Sequence, residues 1–211
     1  MTLLCGSALL CYTRPVAEGT HELLERLAGE IRACTRCSLC QGRTQAVPGE
    51  GSADARVMFV GEAPGREEDE QGRPFVGRSG QLLRQTIRET GWREDEVFIA
   101  NVLKCRPPDN RDPEDSEIEA CRSWLAAQII TLRPRLIVTL GRYSMGLLLK
   151  PGLKITQVHG QHVRRDGMVI LPTFHPSAVL RDPDKLADFR RDILKARRLS
   201  EVIDDNGRLN V

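Results

Sequence analysis

The chain lacks any apolar run long enough to span a membrane, and its start, MTLLCGSALLCYTRP, lacks the basic region and cleavage pattern of a secretory signal. Those absences point to a cytosolic protein with no membrane partner. In a reducing compartment they also remove a disulfide framework as the reason for seven cysteines. Net charge is nearly absent as well, since 31 basic and 29 acidic residues leave a formal +2. Nucleic-acid binding would therefore need a local basic surface rather than a large total charge. Arginines gather at Arg164, Arg165, Arg181, Arg190, Arg191, Arg197 and Arg198, but Asp184, Asp188 and Asp192 interleave with the last group, as on a solvated helix face. Internal repeats and low-complexity linkers are missing too. With 40% hydrophobic and 28% charged residues, the 211-residue chain has the composition and length of one globular domain. Residues 1–19 read as a poorly ordered leader with Cys5 and Cys11 as bystanders, 20–202 as the domain, and 203–211 as a tail.

What is present is an alternation of short apolar runs and amphipathic stretches. Apolar runs at 56–60, 97–103, 136–140 and 168–172 read as buried strands, the last entered by a hairpin from 161–165 through Asp166 and Gly167. Helical spacing marks 21–31, 79–90, 114–132, 141–149 and 184–202. Strands alternating with helices predict a three-layer α/β/α sandwich around a mainly parallel, four-stranded sheet.

Residues 61–80, GEAPGREEDEQGRPFVGRSG, follow the first of these strands and hold more special residues than any other stretch. Open α/β sheets bind ligands at the carboxyl ends of their strands, where the flanking helices leave a crevice. Glu67, Asp69 and Glu70 taken singly suit an acidic surface loop, but that reading does not account for Gly61, Pro64, Gly65, Pro74, Gly77 and Gly80 around them or for Phe75. Phe75 has no periodicity that would make it core and suits a stacking platform for a flat ligand. Two more segments end strands on the same side: ANVLKCRPP at 100–108 and FHPSAVLR at 174–181. Asn101 inside an apolar strand has the plainer role of satisfying backbone groups. A lone histidine such as His175 is more often structural than catalytic, yet it opens a turn at the functional end of the sheet.

Cys34-Thr-Arg-Cys37 offers two thiolates on one turn, and Cys105 and Cys121 offer two more from a strand end and a helix. Four thiolates suit zinc or a [4Fe–4S] cluster, and spacing does not choose between them, while the C-x-x-C pair taken alone also suits a redox dithiol or a chance spacing. Cys121, on the apolar side of its helix, also reads as a small buried hydrophobe. Cys40 extends the run to C-x-x-C-x-x-C, without the cysteine and proline that follow in ferredoxins.

Together GEAPG, PFVG, NVLKCRPP and HPSAVLR, with Cys34, Cys37, Cys105 and Cys121 in order, resemble the family 4 uracil-DNA glycosylases, an iron–sulfur branch of bacteria and archaea. The similarity covers about residues 31 to 195. It implies the α/β/α glycosylase fold, a [4Fe–4S] cluster on Cys34, Cys37, Cys105 and Cys121 with Cys40 as a spare thiol, and a uracil pocket of Gly61, Glu62, Ala63, Phe75, Asn101 and His175. It further implies a monomer acting on uracil-containing DNA, double- or single-stranded, through base flipping and hydrolysis of the N-glycosidic bond. Val179, Leu180 and Arg181 then fill the vacated stack and hold phosphates. Asn101, His175 and Glu62 are the catalytic candidates. Family 1 relatives carry an aspartate where this chain has Ala63, which leaves Glu62 or Glu68 to activate water, Glu62 preferred. The related branch that traps uracil DNA covalently uses a histidine after the third cluster position, and RPPDNRDPEDSEIEA contains none. A non-catalytic iron–sulfur or zinc protein explains the cysteines but leaves Phe75, Asn101 and the His175 segment without a purpose.

Overall fold

The computed structural model describes residues 19–204, so residues 1–18 of the expected leader, with Cys5 and Cys11, and residues 205–211 lie outside the described residues. Helix α1 (Thr20–Arg32) and the single turn α2 (Leu39–Gly42) lead to a two-residue strand β1 (Glu50–Gly51). There follow β2 (Val57–Gly61), α3 (Arg66–Gln71), α4 (Arg78–Glu89), β3 (Val97–Asn101), α5 (Asp115–Leu132), β4 (Leu136–Leu140) and α6 (Arg142–Leu148). The chain continues through α7 (Ile155–Val158), β5 (Val163–Arg165), β6 (Met168–Thr173), α8 (Pro176–Arg181) and α9 (Lys185–Val202). Among the described residues no helix is long and apolar enough to cross a membrane.

The sheet runs β1-β3-β2-β4-β6-β5. Its four central strands are mutually parallel, as expected, while β1 and β5 pair antiparallel at the two edges and make the sheet six-stranded. Strand β5 is the expected hairpin arm. Strand β1 was not expected, because Glu-Gly carries no apolar alternation. Gly51 sits at φ +140° with no room for a Cβ against the Val97 backbone, so its pairing depends on having no side chain. Strand β3 ends at Asn101 rather than Leu103, since the chain bends as the Val102 and Leu103 amides reach the carbonyls of Gly61 (3.1 Å) and Glu62 (2.9 Å).

Alternate residues of the buried strands feed two cores on opposite faces of the sheet. Val57, Phe59, Val97, Ile99, Val138 and Leu171 pack with Leu83 and Ile87 of α4 and Phe189 and Ile193 of α9. Met58, Val60, Phe98, Ala100, Ile137 and Ile170 pack with Leu24 and Ile31 of α1 and Leu125 and Leu132 of α5. The second core also takes in Cys105 and Cys121. Two expectations need correction. Residues 66–71 form a helix, and Asp69 turns inward to accept from the Thr44 amide (3.0 Å), leaving it 3% exposed. Ile203, placed in the tail, is buried, and its carbonyl accepts from Arg56 (2.8 Å).

Candidate active site and cysteine cavity

The carboxyl ends of all four parallel strands open into one crevice of about 750 Å³. The register sets Gly61 beside Asn101. A Cβ on Gly61 would strike Asn101 Oδ1 and the Phe75 ring, so glycine here keeps the floor open. Gly141, after β4, holds φ +86° with the His175 Cβ packed where its own would be. His175 follows β6 and caps α8, its Nδ1 accepting from the Ser177 amide (3.2 Å) beside the Ser177 hydroxyl (2.8 Å).

Phe75 lies in the left-handed region at φ 53°, a conformation that costs a bulky residue of order 1–3 kcal/mol and persists only when its surroundings fix it. Two side chains do so here. Glu68 Oε1 accepts from the Val76 (2.9 Å) and Gly77 (2.8 Å) amides, and its Oε2 accepts from the Gly65 amide (3.0 Å). Arg84 donates to the carbonyls of Phe75 (2.9 Å) and Pro74 (2.8 Å) while paired with Glu50 of β1. Gly80 lets α4 press on the Phe75 backbone, where any Cβ would collide. The ring that results is 4% exposed, packed into the first core on one side and lining the crevice on the other, 6.0 Å from His175. It is therefore core as well as crevice wall.

Asn101 is 2% exposed and its Oδ1 has no hydrogen-bond partner among the described residues, so the plainer role of satisfying nearby backbone does not hold for that atom there. A buried acceptor left unpaired costs about 1–3 kcal/mol and calls for an explanation. Glu62 lines the same crevice. Burial pushes its carboxyl up to about 7, the Asp112 carboxylate adds to the shift, and Arg142 and Arg181 oppose it. Burial and Arg181 push His175 down to about 4, so the ring is neutral at pH 7. With Nδ1 accepting from a backbone amide, the neutral ring carries its proton on Nε2.

The remaining expected site residues divide. Ala63 lines the crevice, as do Leu180, 43% exposed, and Arg181. Val179 does not fit its expected DNA contact: it is 3% exposed in the first core, because α8 turns that face onto α4. Glu68 also differs from expectation, its oxygens being taken up by three loop amides.

On the other face of the sheet, Cys34, Cys37, Cys105 and Cys121 line a small cavity with Cys40, Arg43 and Trp124. Three donors reach the sulfurs: Arg43 to Cys105 (3.0 Å), Trp124 Nε1 to Cys34 (3.3 Å) and the Lys104 amide to Cys121 (3.3 Å). Burial pushes the Cys121 thiol up to about 11, partly offset by Lys104, and raises Cys105 as well, against Arg43. Several thiols converging on one cavity, with N–H donors on three of the sulfurs, are an environment that suits thiolate-bound iron. Among the described residues no three His, Cys, Asp or Glu side chains group closely enough for a single metal ion.

Several residues of the two sites escaped sequence reasoning. Arg142 of α6 reaches across the mouth to Asp112 (2.5 Å), and Asp112 is held in place through Arg111, whose guanidinium grips the buried Glu117 (2.6 Å). Arg84, Arg43 and Lys104 likewise act at long sequence separation. Glu117 lies in the first turn of the helix expected from residue 114, where it accepts from the Glu114 amide (2.9 Å). Nothing local signals the others.

Comparison with known proteins agrees with this geometry. Residues 48–198 match the model of the uracil DNA glycosylase superfamily. The chain is 47% identical over 186 residues to the type-4 uracil-DNA glycosylase of Sulfurisphaera tokodaii, covering 84% of each chain. It is 44% identical over 177 residues to that of Thermotoga maritima, covering 83% of this chain and 91% of the relative. For that of Archaeoglobus fulgidus the identity is 40% over 186 residues, covering 84% and 94%. The type-5 enzyme of Pyrobaculum aerophilum is more distant, 34% identical over 148 residues and 62% of this chain. The chain belongs to the uracil DNA glycosylase superfamily, in its type-4 branch.

Proposed function

We propose that this chain excises uracil from DNA by hydrolysing the N-glycosidic bond, leaving an abasic site and free uracil. The observation that carries this reading is the orphaned Asn101 Oδ1 at the floor of the crevice. Uracil presents an N3–H donor beside the O4 acceptor, and a carboxamide offers the complementary acceptor and donor. A base inside a duplex reaches such a floor only after flipping, with Phe75 as the wall it stacks on. Leu180 at the rim fills the gap left in the stack, and Arg181 contacts phosphate.

As the C1′–N1 bond breaks, its electron pair leaves with uracil and positive charge develops on the sugar. His175 donates from Nε2 to O2 and stabilises the departing anion, a preorganised donor rather than a nucleophile. Glu62, raised toward neutrality, takes the proton of the water that adds to C1′. The covalent-trapping reading is not favoured, because residues 106–120 hold no histidine.

Cys34, Cys37, Cys105 and Cys121 would hold the [4Fe–4S] cluster, which when bound supplies a staple between the segment after α1, the turn after β3 and helix α5. Cys40 is left as a spare thiol. Uracil-containing DNA, single- or double-stranded, is the partner of a monomer, and that substrate puts the work at the nucleoid. The test is incubation with a single-uracil oligonucleotide followed by alkali. Multiple turnovers, strand scission at the uracil and release of free base support the reading; an intact strand after alkali overturns it.

A further inference from the structure

Beyond its amide bond to Cys121 and its charge beside that thiol, Lys104 has no part in the roles above, yet its side chain is 1% exposed between the two sites. Its Nζ donates to the main-chain carbonyl of Asn101 (2.8 Å) and to Gln128 Oε1 (2.7 Å), and Gln128 Nε2 donates in turn to the Pro48 carbonyl (2.8 Å). Its own backbone is fixed at both ends, the amide on Cys121 Sγ (3.3 Å) and the carbonyl on the Val47 amide (2.7 Å). An apolar side chain of similar length would fill this space without the penalty of desolvating an ammonium. What the ammonium adds is direction: two carbonyl-type acceptors, one belonging to Asn101, are pinned to one atom. A hold on its main chain matters for Asn101, because no donor among the described residues reaches its Oδ1.

We propose that Lys104 is a positioning residue for base recognition: anchored through Gln128 to Pro48, it fixes the Asn101 carbonyl and thereby keeps the Asn101 carboxamide facing the crevice. The inference rests on the uracil-reading role of Asn101 proposed above. A displacement of the order of 1 Å at a reacting site slows catalysis by about a hundredfold. Loss of the tie should therefore lower the excision rate while leaving DNA affinity and the cysteine site alone.

The experiment is a double-mutant cycle on the full chain carrying its cluster, read by single-turnover excision from a single-uracil duplex at saturating enzyme. DNA affinity and the visible absorption of the cluster are measured on the same samples. Lys104→Met is expected to slow the otherwise unchanged chain by about ten- to a hundredfold. In an Asn101→Ala background it is expected to change the rate by no more than about twofold, because residues acting through one another are not additive. Equal slowing in both backgrounds, or an unslowed Lys104→Met, overturns the proposal. Should Lys104→Met fail to accumulate, Gln128→Met breaks the same tie from the anchor side and carries the cycle. Cluster loss in both variants would assign Lys104 to the cysteine site and also overturn it. A chain with no substitution that leaves uracil DNA intact would count against the proposed function; an active one with additive effects counts only against Lys104.

Discussion

The crevice and the cysteine cavity lie on either side of one bend, residues 101–105, and they treat polar groups in opposite ways. In the crevice, Asn101 Oδ1 has no partner, Glu62 is pushed up to about 7, and Phe75 is held at φ 53°. In the cavity, Cys34, Cys105 and Cys121 each receive an N–H donor, and apolar residues of the second core surround them. The crevice leaves hydrogen-bonding capacity unspent where a ligand can take it up, and its strain is maintained by Glu68 and Arg84 from outside. The cavity supplies donors to three of its five sulfurs and gathers cysteines from segments far apart in sequence. That contrast fits the roles proposed for the two sites, chemistry in the crevice and a structural staple in the cavity.

The largest expected effect lies on the securing side. Cys105→Ser or Cys121→Ser should abolish the cluster absorption and most of the soluble yield, because cluster ligation is coupled to folding. Cys40→Ser should leave both nearly unchanged. Iron content and visible spectra check this, and bleaching by Cys40→Ser but not by Cys37→Ser would reverse the ligand assignment.

On the chemical side, His175→Ala should slow single-turnover excision by about a hundred- to a thousandfold, the usual loss for one preorganised donor to a developing charge. DNA affinity should hardly move. A wild-type rate at saturating enzyme would make the histidine structural.

Glu62 gives a smaller, pH-dependent signature. The proton acceptor must be the carboxylate, so excision at subsaturating DNA should rise with pH through about 7 and level off. His175, neutral down to about 4, does not titrate in that window. The rise should vanish in Glu62→Gln. The stability sign is opposite. Between its ordinary 4.5 and about 7 the folded chain keeps a proton that the unfolded chain has lost, so this carboxyl weakens the fold as pH rises through that window. Denaturant midpoints of the two chains across that range check the second statement.

Sequence made much of this visible, for physical reasons that also explain the gaps. The four parallel strands are buried on both faces and so read as apolar runs, and the residues that end or follow them, Gly61, Asn101 and His175, stand out as polar or flexible punctuation. Strand β1 and helix α3 have no apolar periodicity, and only tertiary partners reveal them: Val97 for Gly51, and the Thr44 amide for Asp69. Val179 sits between half-buried Ala178 and exposed Leu180, and nothing local says that it turns inward. Lys104 reads as an ordinary basic residue beside a cysteine, because the acceptor that anchors it lies 24 residues away on Gln128.

The smallest effect belongs to the rim. Arg181→Ala should weaken DNA binding more at low salt than at high salt, lowering the salt slope by about one phosphate contact, with little change in the maximal excision rate. Titrations at two salt concentrations measure it.

The central claim is that the crevice's unpaired acceptor reads the base. Its most direct measurement is the single-turnover excision rate of Asn101→Ala on a single-uracil duplex, with binding of the same duplex measured alongside. The account predicts a rate lower by about a hundredfold or more with affinity nearly unchanged, as for loss of a contact made to the flipped base. Excision at the wild-type rate, or a loss confined to binding, would contradict it.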